Sequence, residues 1–204
     1  IDIALVRSHG AGFVTGIDVE DTVLDHARGL VERVGLVGRI GCVKVAPGPL
    51  PFAPGSFDVV FSKDSIVHIP DKHALMREVF RVLRPGGRFL ASDWLIGHDG
   101  PPSPTMAAYI EAEGLDFGMA SPERYRAAMA EAGFTAISTE SRNEWYRATA
   151  RTELDRLKGA TGTSLAAAVG RDFVDQNIAV WTRMIPVLDS GEHCPTHLKA
   201  RKPE

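Results

Sequence analysis

The stretch FDVVFSKDSIVHIPDKHALMREVFRVLRPGGRFLASDW (residues 57–94) constrains the fold more than any other part of the chain. FDVVFS (57–62) is a nearly continuous apolar run, as expected of a central strand covered on both faces of a parallel sheet. DKHALMREVFRVL (71–83) then places Leu75, Val79 and Val82 at helical spacing. RPGG (84–87) is expected to stop that helix, and RFLASDW (88–94) is strand-like again. Strand, helix and strand in so short a span make a crossover unit, which demands a layered α/β architecture.

The alternation extends in both directions. GFVTGIDV (12–19) reads as a buried strand closing on Asp18. EDTVLDHARGLVERVG (20–35) carries Val23, Ala27, Leu30 and Val34 at helical spacing, with Gly35 as its stop. IGCVKV (40–45) is a further strand, and the prolines and glycines of APGPLPFAPGS (46–56) make a loop. Downstream, 104–117 is expected to be helical, and SPERYRAAMAEAG (121–133) is a helix capped by Ser121, entered by Pro122 and closed by Gly133. FTAISTESR (134–142) alternates as a half-buried strand, 144–158 and 164–188 are helical, and THLKARK (196–202) is expected to be a last, edge strand. The whole predicts an α/β, doubly wound sheet, mostly parallel with an antiparallel edge strand, in a single domain over residues 1–204. The stretches 95–120 and 144–190 break the alternation and are either lid helices over a site or plain packing helices.

Composition excludes several function classes. A net charge of −3 gives no electrostatic reason to expect nucleic acid or an anionic membrane as partner. No apolar run approaches the roughly 18–20 residues of a membrane span. Cys42 and Cys194 have no metal-ligand spacing, so a reducing, cytoplasmic setting without a bound metal is expected.

Ligands of such sheets bind beyond the carboxyl ends of the strands. Three strands end there in an acid or hydroxyl: Asp18, Ser62 to Asp64, and Asp93. Asp18 can accept the two ribose hydroxyls of a nucleoside, or cap the next helix. In SKDSIVHIPDK (62–72), His68 stands four residues after Asp64 and is either a base or a solvated histidine ahead of the helix.

VTGIDV, LPFAPGSFDVVFS and EVFRVLRPGGRFLASD, in this order and spacing, resemble class I S-adenosylmethionine-dependent methyltransferases over residues 1–142 and the strand near 196–202. The resemblance implies a Rossmann-like sheet and S-adenosyl-L-methionine as cofactor. It places Asp18 on the ribose, Val19 beside the adenine and Ser62 along the cofactor pocket. Two departures stand out. The glycine-rich GxGxG loop is missing, and IDIALVRSHGA (1–11) resembles the helix that follows it, so the first strand is expected to be absent from this chain. Loss of that strand would open a buried edge, with low stability or association as the expected result. Ala46 and Pro47 stand where the family often has an acid for the adenine amine.

SKDSIVHIPDK narrows the resemblance to phosphoethanolamine N-methyltransferases and sarcosine/dimethylglycine methyltransferases, and SGEHCPTHLKARK (190–202) resembles their closing segment. By this resemblance Asp64 binds the substrate, His68 is catalytic, and Trp94 and Tyr109 line the substrate pocket, with Trp145 and Tyr146 as further candidates. The chemistry agrees: a protonated amine has no lone pair, so a base must take its proton, and aromatic faces hold methylated ammonium groups. The family's phosphate-binding arginine and lysine fall at Glu113 and Met184. An acid repels phosphate, so either Arg183 or Lys199 compensates or the acceptor is an amine without phosphate. The expected activity is methyl transfer to the nitrogen of a small amine. The alternatives are O- or C-methylation of another small molecule, and a methyltransferase-like binding domain without activity.

Overall fold

The computed structural model describes residues 1–114 and 117–204. They form two compact units, Ile1–Phe52 and Ala53–Glu204. Among the described residues no helix is long and apolar enough to cross a membrane.

The first unit runs α1 (Asp2–Ser8), β1 (Val14–Asp18), α2 (Asp21–Arg33) and β2 (Ile40–Lys44). β1 and β2 pair in parallel from Val14 opposite Ile40 to Asp18 opposite Lys44. The core is small: Val6, Val31 and Ile40, with Ile3, Val14 and Leu36 packed against them. So few buried residues leave Phe13, Ile17, Val19 and Val23 exposed. A Cβ at Gly16 would stand 2.6 Å from the Asp2 carboxylate, so a larger residue there would make that side chain turn aside. The Arg39 guanidinium fastens the turn before β1 by donating to the carbonyls of Gly12 at 2.5 Å and Ala11 at 2.7 Å.

The second unit continues with β3 (Phe57–Lys63), a 3₁₀ turn (Ile66–His68), α3 (Lys72–Val82), β4 (Leu83–Ile96), α4 (Pro104–Glu113) and α5 (Pro122–Glu131). It ends with β5 (Thr135–Ser141), α6 (Asn143–Lys158), α7 (Ala160–Val169), α8 (Arg171–Asp189) and β6 (His193–Arg201). The sheet order is β3-β4-β6-β5; β3 and β4 are parallel, and β6 is antiparallel to both its neighbours. α3 and α5 pack over this sheet through Met76, Val79, Phe89, Tyr125, Met129 and Leu198. A second core, with Ile96, Met106, Tyr109, Val180, Met184 and Val187, holds α4, α6 and α8 together. The stretches read as lid or packing helices therefore supply a core of their own.

Four local expectations are corrected. The antiparallel strand is present but lies inside the sheet, between β4 and β5. Alternation reports which faces are covered, and it is silent on whether both backbone edges find partners. Conversely, β3 pairs only with β4 among the described residues, and Val59 and Phe61 on it are 38% and 43% exposed, so FDVVFS is an end strand of its sheet. RPGG does not separate helix from strand: β4 begins at Leu83, and the pairing with β3 jumps from Phe57–Leu83 to Val59–Arg88, leaving residues 84–87 as a bulge. Gly86, at φ 74°, supplies the left-handed turn of that bulge. The helix expected over 164–188 is two helices, because Gly170 at φ 94° ends one and begins the next. The helix expected over 104–117 ends at Glu113 on a left-handed Gly114, and its continuation over residues 115–116 lies outside the described residues.

Candidate active site

Asp18 closes β1, half-buried, and its Oδ1 accepts the Glu20 N–H at 2.9 Å, which turns the chain into α2. Val19, beside it, is 47% exposed. These two candidates belong to the first unit; Ser62, Asp64, His68, Trp94 and Tyr109 all belong to the second.

Ser62 is the penultimate residue of β3 and pairs with Ala91 of β4. Asp64 follows β3 in the left-handed region at φ 54°, a conformation that costs a non-glycine residue roughly 1 kcal/mol. Its backbone N–H donates to the Ser92 carbonyl at 2.9 Å, and its carboxylate pairs with the Lys63 ammonium. Ser65 Oγ donates to the Lys63 carbonyl at 3.0 Å. The 3₁₀ turn then buries Ile66 and Val67 and leaves His68 exposed, its ring 5.5 Å from Phe117. One turn thus carries both members of the Asp64–His68 pair on the rim where β3 and β4 end.

Behind this turn lies Asp93, 1% exposed. Its Oδ1 accepts the Trp94 N–H at 2.8 Å, and its Oδ2 has no hydrogen-bond partner among the described residues. Burial pushes its carboxyl up to about 6, against the pull of the Trp94 N–H and the Lys72 charge.

An aromatic group follows directly along β4. The Trp94 ring stacks on His193 at 4.8 Å and 14°, and meets Tyr146 edge-on at 4.9 Å. Tyr109 lies 5.0 Å from the His193 ring and its hydroxyl donates to Glu113 at 2.8 Å. Burial, reinforced by Glu113, pushes the Tyr109 phenol well above its ordinary range. Burial pushes Tyr146 up to about 12, helped by the carboxylates of Glu153, Asp64 and Glu113. His193 is completely buried, and burial pushes its imidazole down to about 3, so it is neutral near pH 7.

The structure thus brings Trp94, Tyr109, Tyr146 and His193 together, with Glu113 on the Tyr109 hydroxyl, and holds Asp64 and His68 on the turn that follows β3. Trp145 lies at the outer edge of this group: its ring is 5.9 Å from Tyr146, it is 57% exposed, and the Arg142 guanidinium covers it at 5.5 Å. Met184 is buried in the α4–α8 core, Arg183 donates to the Ala179 carbonyl of its own helix, and Lys199 pairs with Glu140 at 3.8 Å. His193 and Lys72 were missed by sequence reasoning. His193 lies within SGEHCPTHLKARK, whose alternation could have pointed to it; Lys72 reads as an ordinary charge at a helix start.

The family described as a methyltransferase domain matches residues 3–91. Phosphoethanolamine N-methyltransferase of Triticum aestivum is 30% identical over 184 residues, 90% of this chain and 34% of that protein. Sarcosine/dimethylglycine N-methyltransferase of Halorhodospira halochloris is 30% identical over 166 residues, 80% of this chain and 57% of that protein. The structure of Haemonchus contortus phosphoethanolamine N-methyltransferase 2, in complex with phosphomonomethylethanolamine and S-adenosylhomocysteine, superposes with a TM-score of 0.87 at 24% identity. That superposition covers 99% of this chain and 46% of the other. The chain spans 34% of the length of the wheat protein and 57% of the Halorhodospira one.

Proposed function

We propose that the chain, whose residues 3–91 match a methyltransferase domain and whose fold is that of Rossmann-like methyltransferases, serves methyl transfer from S-adenosyl-L-methionine to the nitrogen of a small amine. The observation that carries this reading is the aromatic group of Trp94, Tyr146, Tyr109 and His193, built on the same unit that holds Asp64 four residues ahead of His68. Carboxylate and π-faces together suit a cationic amine.

S-adenosyl-L-methionine, when bound, supplies an electrophilic methyl carbon. By the family resemblance, Asp18 would hold the ribose, Val19 would pack near the adenine, and Ser62 would line the cofactor pocket. Asp64 binds the ammonium form of the acceptor and orients it. His68 takes the proton that blocks the nitrogen lone pair and, being exposed, passes it to solvent. Trp94 and Tyr109 form the wall that holds the methylated product cation. Orientation supplies much of the rate in such a displacement.

The names of the relatives offer two acceptor types, phosphoethanolamine and N-methylglycine compounds. Glu113 favours the second. With Asp64 it makes two carboxylates acting on Tyr146, a setting that repels a phosphate dianion.

Calorimetric titration of S-adenosylhomocysteine tests the cofactor half: binding by the wild type that is lost in Asp18→Ala supports it, and no binding by the wild type overturns it. A radiolabelled methyl-transfer screen with sarcosine, dimethylglycine, ethanolamine and phosphoethanolamine tests the acceptor half. Transfer to a phosphate-free amine that is lost in His68→Ala is expected. Transfer to phosphoethanolamine alone would reverse the choice of acceptor.

A further inference from the structure

Lys72 opens α3 and is 1% exposed. Its ammonium donates to the Ile66 carbonyl at 2.7 Å and to the Ile69 carbonyl. It also lies 5.3 Å from the centre of the Tyr125 ring and feels the buried Asp93 carboxylate. The position is unfavourable for a lysine in two ways. Burial pushes its pKa down to about 8, and a cation at a helix N-terminus opposes the helix dipole. A buried methionine would avoid both penalties and an exposed lysine the first, so the stabilisation must come from what the ammonium holds.

It holds the two carbonyls that bracket Val67 and His68. The same short segment is fixed from the opposite side, where the Gly118 N–H donates to the Val67 carbonyl at 2.8 Å. Gly118 packs so closely there that a Cβ would come within 2.9 Å of Pro70 Cα. Upstream, the Asp64 N–H is tied to Ser92. The Lys72 clamp is the attachment that acts on both flanks of His68.

We propose that Lys72 is the positioning residue of His68: its ammonium, over the Tyr125 ring, fixes the Ile66 and Ile69 carbonyls and thereby where the His68 imidazole stands. The functional meaning of this device rests on the amine-methylation reading; its geometry does not.

The test uses the full chain uniformly labelled with ¹³C and ¹⁵N, as wild type, Lys72→Met and Lys72→Arg. In the wild type one lysine ammonium is expected to exchange with water at least tenfold more slowly than the others, with scalar couplings to the Ile66 and Ile69 carbonyl carbons. In Lys72→Met the His68 imidazole signals move, and the amides of residues 67–69 exchange at least tenfold faster. The His193 signals stay in place, and Lys72→Arg restores part of the protection. A folded Lys72→Met with unchanged His68 signals and amide protection overturns the proposal. If Lys72→Met does not fold, the wild type decides alone: rapid exchange at every lysine ammonium overturns it. Where the wild type transfers methyl groups, Lys72→Met lowers kcat at least tenfold with unchanged S-adenosylhomocysteine affinity, and an unchanged kcat overturns the proposal. A wild type without transfer would overturn the amine reading, while the magnetic-resonance readout still decides for Lys72.

Discussion

His193 and Lys72 are both buried titratable side chains, and they answer burial in opposite ways. Lys72 keeps a held ammonium by giving its protons to carbonyls. His193 has neither ring nitrogen hydrogen-bonded among the described residues, and it gives up its charge and stacks on Trp94. Its folded pKa of about 3 lies below the ordinary 6.5, so the unfolded chain binds the proton first. Its contribution is therefore fully present above pH 6.5 and is lost as pH falls towards 3. His193→Phe, which keeps a flat ring and cannot titrate, should show this directly. The wild type minus variant difference in unfolding free energy is expected to be constant above pH 6.5, then to move in the variant's favour by a few kcal/mol on acidification. Urea melts at several pH values measure it; a difference that does not vary with pH would mean that His193 is not buried as a neutral ring. Glu113→Gln is the matching test of the site: the KM for a phosphate-free amine should rise about tenfold, the loss of one partly desolvated charge, with S-adenosylhomocysteine affinity unchanged. An unchanged KM would take Glu113 out of the acceptor site. At this scale the sequence singles out Asp64, His68 and Trp94 because each stands in a recognisable string. It was not legible for Lys72, because nothing local distinguishes a lysine that folds back under the chain from one that points to water.

Elements were legible in kind and less so in their ends and neighbours. The helix begun by Ser121 was readable because the cap is local chemistry: its Oγ accepts the Arg124 N–H at 3.0 Å and donates to Asp99 at 2.7 Å. Ser121→Ala should destabilise the chain by about 1–2 kcal/mol, read as a lowered Tm with the fold intact. An unchanged Tm would mean that the cap is replaced by water without loss. RPGG was misread because its turn chemistry is real but its place is set by distant residues. Gly86 donates to the carbonyls of Lys202 and Pro203, and the Lys202 ammonium donates to the carbonyls of Phe80 and Leu83. The glycines therefore bend a bulge into the grip of the C-terminal segment. Lys202→Met should loosen that grip, seen as faster exchange of the Gly86 amide while the amides of β5 keep their protection. The place of β6 failed for the same reason: strand order is settled by partners far away in the chain.

The two units of the molecule differ in how much they bury. The first has 3 fully buried apolar residues in its core cluster, and the larger core cluster of the second has 14. Local stability follows buried apolar area, so the first unit should open more easily. Native-state hydrogen exchange is expected to show the amides of β1 and β2 exchanging faster than those of β4 and β6. Equal protection in both units would mean that they unfold as one. The central position of β6 adds a constraint in time. β3, β4 and β5 are all synthesised before it, yet among the described residues β4 and β5 do not pair with each other and are joined in the sheet through residues 193–201. While the chain is being made, the half-finished sheet presents two strand edges waiting for the same partner. The sheet can close only when that last strand has left the ribosome, so a nascent chain stopped before residue 193 should be the form of this protein most in need of a chaperone.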